Sequence, residues 1–371
     1  MLTRILSGDT PRSLPLAVLL AAIVVALVLV PVLFPGAKAL AVAAKILVFV
    51  LLVASYDLLL GYTGIVSFAH TMFFGIGAYG VAIASTRMEP GLAALLSGAG
   101  AALAISLVLS VIIGLASLRV RAIFYAMITL AVAAAFQTLV SQMSTLTGGE
   151  DGLSFRVPTW LRPGFSLFET SWLHVNGRVL TYYIILAVVT IVFLGLLRVV
   201  NSPFGRALQA IRENDFRAQA IGLNTVLYRT GSNVLAALAA TLAGCLYALW
   251  LRYNGPATTL SFEIMLDTLL MVVIGGMGTL YGAILGATIF VLAQSYLQNL
   301  LGMASEATAS VPVVSMLFSP DRWLLWLGIL FVLSVYYFPT GIAGRLRARA
   351  AAARTTGSPA RLPRNTVHEQ H

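Results

Sequence analysis

The hydrophobic positions of this chain lie in long uninterrupted blocks, and short polar clusters separate them. Blocks such as 14–34 and 122–146 contain no charged residue, and each exceeds the roughly 18 apolar residues that indicate a membrane-spanning helix. The pattern predicts an all-α integral membrane protein with about ten transmembrane helices. They are expected near 14–34, 39–60, 64–86, 91–115, 122–146, 179–200, 228–251, 262–279, 282–301 and 322–341.

Composition supports the membrane assignment. Hydrophobic residues make up 59% of the 371 positions and charged residues only 10%, whereas soluble domains are about half apolar and a quarter charged. The first apolar block follows Arg4 and Arg12 and resembles a signal peptide, but its length and the later spans predict that it is retained. The single cysteine, Cys245, excludes an intrachain disulfide.

The distribution of basic residues predicts the orientation. With both termini in the cytoplasm, inner segments carry 15 of the 23 basic residues, outer segments carry 7, and Lys45 lies within a span. This bias follows the positive-inside rule. The net charge of +10 therefore reflects topology, and no nucleic-acid partner is expected.

These boundaries divide the chain into three parts. Residues 1–13 form a cytoplasmic N-terminus and residues 14–344 the polytopic domain. Residues 345–371 form a basic tail, expected to be disordered and to lie against anionic lipid. The domain has one long external loop at 147–178 and one long cytoplasmic loop at 201–227.

The cytoplasmic loop contains a polar stretch, GRALQAIRENDFRAQAIGLN (205–224), with five charges. Asn201 or Ser202 is expected to cap a helix that has Pro203 at its first position. A second short helix is expected over about 216–221, ended by Gly222 in a left-handed conformation. One apolar stripe recurs at helical spacing: Phe204, Leu208 and Ile211.

Periodicity alone leaves two interpretations of this stretch open. One is a solvated amphipathic loop with an interfacial helix, and the other is a short rigid helix that docks on a soluble partner.

Four blocks of the chain, in order, are similar to blocks of one known family. They are GYTGIVSFAHTMFFGIGAY (61–79), TGGEDGL (147–153), the polar stretch 205–224 and VVIGGMGTLYGAILGA (272–287). Together they resemble the permease subunits of ABC importers for branched-chain amino acids, the LivM type, over about 45–345. One departure is the pair Phe216-Arg217, where smaller or aliphatic residues are expected, so partner specificity could differ.

The resemblance implies partners and a coupling role for the polar stretch. In this family the stretch inserts into an ATPase subunit and transmits its movement to the spans. The family also implies a second homologous permease subunit, two ABC ATPases and a periplasmic solute-binding protein. The coupling residues would be Gly205, Arg206, Ala207, Ala210, Ile211, Arg212, Glu213, Asn214, Ala220 and Gly222.

The chain is not expected to hydrolyse ATP itself. A P-loop requires a lysine after glycine, but both lysines, Lys38 and Lys45, follow alanine. ATP and Mg are therefore expected on the partner ATPases, and this chain is expected to bind no cofactor or metal and to have no catalytic residues.

The third predicted span combines polar groups with glycines. Interrupted helices at membrane depth often line a cavity, although small residues also allow close helix packing. His70 is more simply a hydrogen-bonded packing group than a proton relay. The proposed pathway residues are Thr63, Gly64, Ser67, His70, Phe73, Phe74, Gly75, Gly77 and Tyr79.

Two further groups of residues remain open. A contact with an external binding protein, or gating of the pore mouth, is expected at Gly148, Gly149, Glu150, Asp151 and Gly152. Four charged residues fall inside predicted spans, where charges usually face a cavity or a partner: Lys45, Asp57, Glu263 and Asp267. Asp57 lies near a span end and is expected to be hydrated, and Lys45 could pair with Asp267.

The sequence thus indicates a transport subunit that moves branched-chain amino acids across a bacterial inner membrane. A sister importer of urea, short amides or another small polar or acidic solute is the alternative, and an ion-coupled carrier is the second.

Overall fold

The computed structural model describes residues 14–34, 36–117, 122–170, 173–307, 317–338 and 340–346. The predicted N-terminal segment 1–13 and most of the basic tail lie outside these residues. The long helices are α1 (Leu14–Leu33), α2 (Ala37–Leu60), α3 (His70–Arg87), α4 (Leu92–Ser117), α5 (Ala122–Gln142), α7 (Gly177–Asn201), α10 (Thr225–Leu251), α12 (Phe262–Gly275), α13 (Leu280–Ala307) and α14 (Trp323–Tyr337).

Short elements connect these helices. The short helices are α6 (Ser144–Thr147), α8 (Pro203–Glu213), α9 (Asp215–Ala220) and α11 (Pro256–Thr259), and the strands are β1 (Leu153–Ser154), β2 (Ser166–Thr170), β3 (Leu173–Asn176) and β4 (Tyr253–Asn254). Strand β1 pairs antiparallel with β4, and β2 with β3. The sequence pattern did not predict these strands.

In the part of the chain that the structure describes, nine helices are long and apolar enough to cross a membrane. The all-α membrane fold is confirmed. The third predicted span, 64–86, corresponds to α3, which is not among the nine. It begins at His70, because residues 61–69 form turns and irregular backbone rather than the helix expected from residue 64. With 18 residues, α3 is about 27 Å long.

Helices α2, α3 and α10 form the centre of the bundle, and their small residues explain how closely they pack. A Cβ atom on Gly77 of α3 would clash with the carbonyl of Thr241 in α10, and one on Gly244 of α10 would clash with the carbonyl of Phe74. The Cys245 thiol donates a hydrogen bond to the Gly77 carbonyl over 3.3 Å. Such close approach is the usual basis of helix association in membranes.

Helix α10 connects the two ends of the bundle. Its 27 residues extend about 40 Å, from the segment 201–224 at one end to β4 at the other. We call the first the coupling end, which also contains 61–64 and 276–279. The other is the distal end, formed by 143–165 and 252–261.

Candidate functional site

The polar stretch at the coupling end folds as two short helices, α8 and α9. Ser202 caps α8, since its hydroxyl accepts a hydrogen bond from the Gly205 amide over 3.5 Å, and Pro203 occupies the first helical position. Leu208 and Ile211 are buried, while Phe204 stacks on Tyr228 of α10 with ring centroids 5.6 Å apart. The predicted cap and apolar stripe are therefore confirmed.

Helix α9 is fixed by local polar contacts. The side chain of Asn214 accepts a hydrogen bond from the Arg217 amide over 3.0 Å, and Asp215 forms an ion pair with Arg229 of α10 at 3.4 Å. Gly222 has a φ of 89°, as predicted for a residue that ends a helix. The pair of helices is thus anchored to the start of α10.

Three apolar side chains protrude from this end of the molecule. Phe216 is 86% exposed, Ile221 75% and Leu227 60%. We call these three residues the apolar tip. The predicted coupling residues fall into three groups by exposure. Gly205 and Ile211 are buried, Ala207 and Ala210 are half-buried, and the others are exposed: Arg206, Arg212, Glu213, Asn214, Ala220 and Gly222.

Arg212 links α8 to the segment that leads into α3. Its guanidinium donates a hydrogen bond to the carbonyl of Gly61. Its aliphatic carbons pass beside Gly64, where a Cβ atom would meet them at 3.1 Å. Gly64 also has a φ of 72°, which few residues other than glycine adopt readily.

Asp57 completes this junction from the end of α2. Its side chain is only 1% exposed, and one carboxylate oxygen accepts a hydrogen bond from the Gly278 amide over 2.8 Å. A Cβ atom on Gly61 would clash with this carboxylate and with the Gly278 amide. The expectation that Asp57 is hydrated is therefore wrong, because the loop between α12 and α13 covers it.

We call Asp57, Gly61, Arg212 and Gly278 the glycine junction. It brings together three blocks that are far apart in sequence: 61–79, 205–224 and 272–287. The sequence did not predict the contacts that join these blocks. The sequence offers two signals for this junction. Glycines cluster in 61–79 and in 272–287, and the carboxylate of Asp57 lies just before the first of these blocks.

The predicted pathway residues are mostly buried around the start of α3. Thr63 donates a hydrogen bond to the Leu59 carbonyl over 2.5 Å. His70 Nε2 lies 2.8 Å from the Ser55 hydroxyl, which fits its interpretation as a hydrogen-bonded packing group. Ser67, Phe73, Phe74 and Tyr79 are also buried, and Gly64 is exposed. Their role in a solute pathway stays a prediction.

Gly75 and Gly77 lie in helix contacts. A Cβ atom on Gly75 would clash with the side chain of Leu260, and one on Gly77 would clash with the backbone of Thr241. The structure thus places both glycines in close packing between elements.

We expect Gly77→Ala to lower the thermal stability of the protein. The added methyl group would push α3 away from α10, and overpacking of this kind costs about 1–3 kcal/mol. Thermal unfolding in detergent, followed by size-exclusion chromatography, measures the effect. Gly100→Ala is the matched control, since no atom of the described residues lies within 4 Å of a Cβ atom there. Equal melting temperatures for the two variants would contradict this account of the packing.

The predicted external contact, residues 148–152, lies at the distal end, opposite the coupling end. Glu150 and Asp151 are exposed in a short 3-10 helix, Gly149–Asp151. Gly148, Gly149 and Gly152 all have positive φ angles, and Gly152 packs against the backbone of Asn254. The turn therefore packs on the backbone of Asn254 and leaves its two acidic side chains exposed.

Two of the charged residues inside predicted spans are connected through an amide. Lys45 Nζ donates to Gln294 Oε1 over 2.8 Å, and Gln294 Nε2 donates to Asp267 Oδ2 over 3.4 Å. Lys45 and Asp267 therefore interact through Gln294 rather than directly. Glu263 is exposed one turn before Asp267.

Comparison with known proteins identifies the family. The family described as "Branched-chain amino acid transport system / permease component" matches residues 39–335. The LivM permease protein of the high-affinity branched-chain amino acid transport system of Salmonella typhimurium is 24% identical over 297 residues, which are 76% of this chain and 69% of the relative. The BraD permease protein of Pseudomonas aeruginosa is 26% identical over 308 residues, 80% of this chain and 92% of the relative. No solved structure matches.

The similar proteins are transport permeases, and the described part of this chain contains nine apolar helices of spanning length. Both observations identify a multi-pass protein of the bacterial inner membrane. The family match covers most of the chain, in agreement with the resemblance of the four sequence blocks. The chain therefore belongs to the family of branched-chain amino acid transport permease components.

Proposed function

We propose that this chain is one permease subunit of an ABC importer that moves branched-chain amino acids into the cytoplasm. Two separate ATPase subunits would bind ATP and Mg and drive the cycle. A second, homologous permease subunit and a periplasmic solute-binding protein would complete the assembly. The chain itself would form and break no covalent bond.

One observation carries the proposal: Arg212 of α8 donates a hydrogen bond to the Gly61 carbonyl, in the loop that leads into α3. An element that receives force from an ATPase must contact both the ATPase and the part of the membrane domain that moves. The exposed apolar tip is suited to the first contact, because large apolar side chains are the common anchors of protein interfaces. The glycine junction is suited to the second, because it connects α8 to α2, α3 and α12.

The same elements support a proposed orientation in the membrane. The coupling end carries Arg198, Arg206, Arg212, Arg217 and Arg229, and cytoplasmic loops are enriched in basic residues. We therefore place the coupling end in the cytoplasm. The distal end, with Glu150 and Asp151, then faces the periplasm, where it would contact the binding protein.

Transport assays on the reconstituted assembly test this function. We expect proteoliposomes that contain both permeases and the ATPases to take up L-leucine only when ATP and the loaded binding protein are supplied. Urea, acetamide and L-glutamate should compete poorly with leucine. Effective competition by one of them, with no leucine uptake, would favour a sister importer. Uptake driven by an ion gradient without ATPases would contradict the proposal.

A further inference from the structure

A chain of polar side chains crosses the apolar interior between three helices. Lys45 lies on α2, Asp267 on α12 and Gln294 on α13, and all three side chains are half-buried. The Gln294 amide accepts a hydrogen bond from the Lys45 ammonium and donates one to the Asp267 carboxylate. The glycine junction does not include these residues.

Two opposite charges at this depth would be expected to pair directly. A charge inside a membrane is costly, and such residues usually pair with one another or face a cavity. Lys45 and Asp267 interact only through Gln294, and both are half-buried rather than fully open to a cavity. The described residues include no direct ion pair between them, and an amide group separates the two charges. The arrangement presents a cation and an anion, spaced by one small polar group, on a partly open face.

That spacing matches a particular class of ligand. A free α-amino acid carries a carboxylate and an ammonium group on the same carbon atom, so it can accept a hydrogen bond from Lys45 and donate one to Asp267 at the same time. The Gln294 side chain now makes the same two contacts, with its carbonyl toward Lys45 and its amino group toward Asp267. A neutral solute such as urea would leave both charges without an opposite charge.

Apolar side chains flank the polar chain on one side. Val42, Ile264 and Leu297 lie three residues from Lys45, Asp267 and Gln294 respectively, which is about one helical turn. All three are partly buried hydrophobic residues, and each lies on the distal-end side of its polar neighbour. An aliphatic side chain directed toward the distal end would contact them.

We propose that Lys45 and Asp267 bind the α-carboxylate and α-ammonium groups of an aliphatic amino acid on its way through the membrane. Gln294 separates the two charges when no solute is bound, and its side chain moves away from them when the solute binds. The inference rests on the proposed function, because it assigns a binding site to the solute of that importer.

Binding of radiolabelled L-leucine to the assembled transporter, in nanodiscs and without the binding protein, tests the site. We expect Lys45→Gln and Asp267→Asn each to weaken leucine binding by about tenfold to hundredfold, because each removes a charge-assisted hydrogen bond. Lys38→Gln is the matched control: it removes a lysine of the same helix that contacts Tyr296 instead, and it should bind leucine as the unaltered transporter does. Lys45→Arg keeps the charge and should retain most of the binding.

Competition by analogues gives a second readout. 3-Methylbutylamine lacks the carboxylate and 4-methylpentanoate lacks the ammonium group. Each should compete with leucine at least about tenfold less well than unlabelled leucine does. A purely structural role for Lys45 and Asp267 would not produce this requirement for both charges.

Three results would overturn the site. They are unchanged leucine binding in Lys45→Gln and Asp267→Asn, no detectable binding to the unaltered transporter at millimolar leucine, and loss of the second permease from both variants, which would indicate a subunit contact. If the unaltered transporter imports leucine with ATP and the binding protein, these results reject the site alone. If it imports no leucine at all, the proposed function fails as well.

Discussion

Phe216→Asp is expected to abolish association with the ATPase subunits while the permease remains folded in the membrane. Phe216 is the most exposed residue of the apolar tip, and the described part of the chain leaves 86% of it exposed. Loss of an aromatic anchor at the centre of an interface costs about 2–4 kcal/mol, which is about 30- to 700-fold in affinity. Co-purification of tagged permease with the ATPases, together with ATP-driven leucine uptake, measures the effect.

The matched control for this variant is Phe165→Asp, which places the same charge at an exposed phenylalanine of the distal end. It should co-purify with the ATPases as the unaltered chain does. Full ATPase association of Phe216→Asp would show that the apolar tip is not the docking element. Equal loss in both variants would point to a general defect in folding or insertion instead.

Gly61→Ala is expected to disrupt the glycine junction, and with it the contact between α8 and the transmembrane helices. The added methyl group would clash with the Asp57 carboxylate and the Gly278 amide. Overpacking costs about 1–3 kcal/mol, and the hydrogen bond from Gly278 to the buried carboxylate contributes about 1.5–3 kcal/mol. We expect uptake to fall to background and the melting temperature to drop, while the ATPases still bind, because the apolar tip is unchanged.

Gly195→Ala is the control for Gly61→Ala, since the part of the chain that the structure describes has no atom within 4 Å of a Cβ atom at that position of α7. Its stability should change by no more than about 1 kcal/mol. The comparison requires uptake, ATPase association and thermal unfolding on the same preparations. Normal uptake in Gly61→Ala would exclude the glycine junction from the transmission of force.

The parts of the fold that could be predicted are those set by local chemistry. Ser202, Pro203 and Gly222 specify where α8 begins and where α9 gives way to α10, and each acts on neighbouring backbone groups. The spans are equally local, because a run of apolar residues is sufficient to identify them. The apolar stripe of α8 follows from helical periodicity in the same way.

The parts that could not be predicted depend on partners distant in sequence. Residues 61–69 leave the helical conformation where Arg212 binds the Gly61 carbonyl and Thr129 accepts a hydrogen bond from the Phe68 amide over 3.1 Å. Strand β1 exists only because it pairs with β4, about a hundred residues later. The burial of Asp57 depends in the same way on Gly278, which lies 221 residues later in the chain.

The uninterrupted length of α10 has a consequence for how the two faces of the membrane communicate. A single helix without a proline or a break behaves as a stiff rod. A tilt imposed at its first end, where Arg229 pairs with Asp215, therefore also moves strand β4 at its other end, which pairs with β1. Linkage is reciprocal: if nucleotide on the inner side changes how tightly the outer side holds the solute-binding protein, that protein must change nucleotide affinity by the same factor. We therefore expect a loaded binding protein to act as an allosteric ligand of the ATPases.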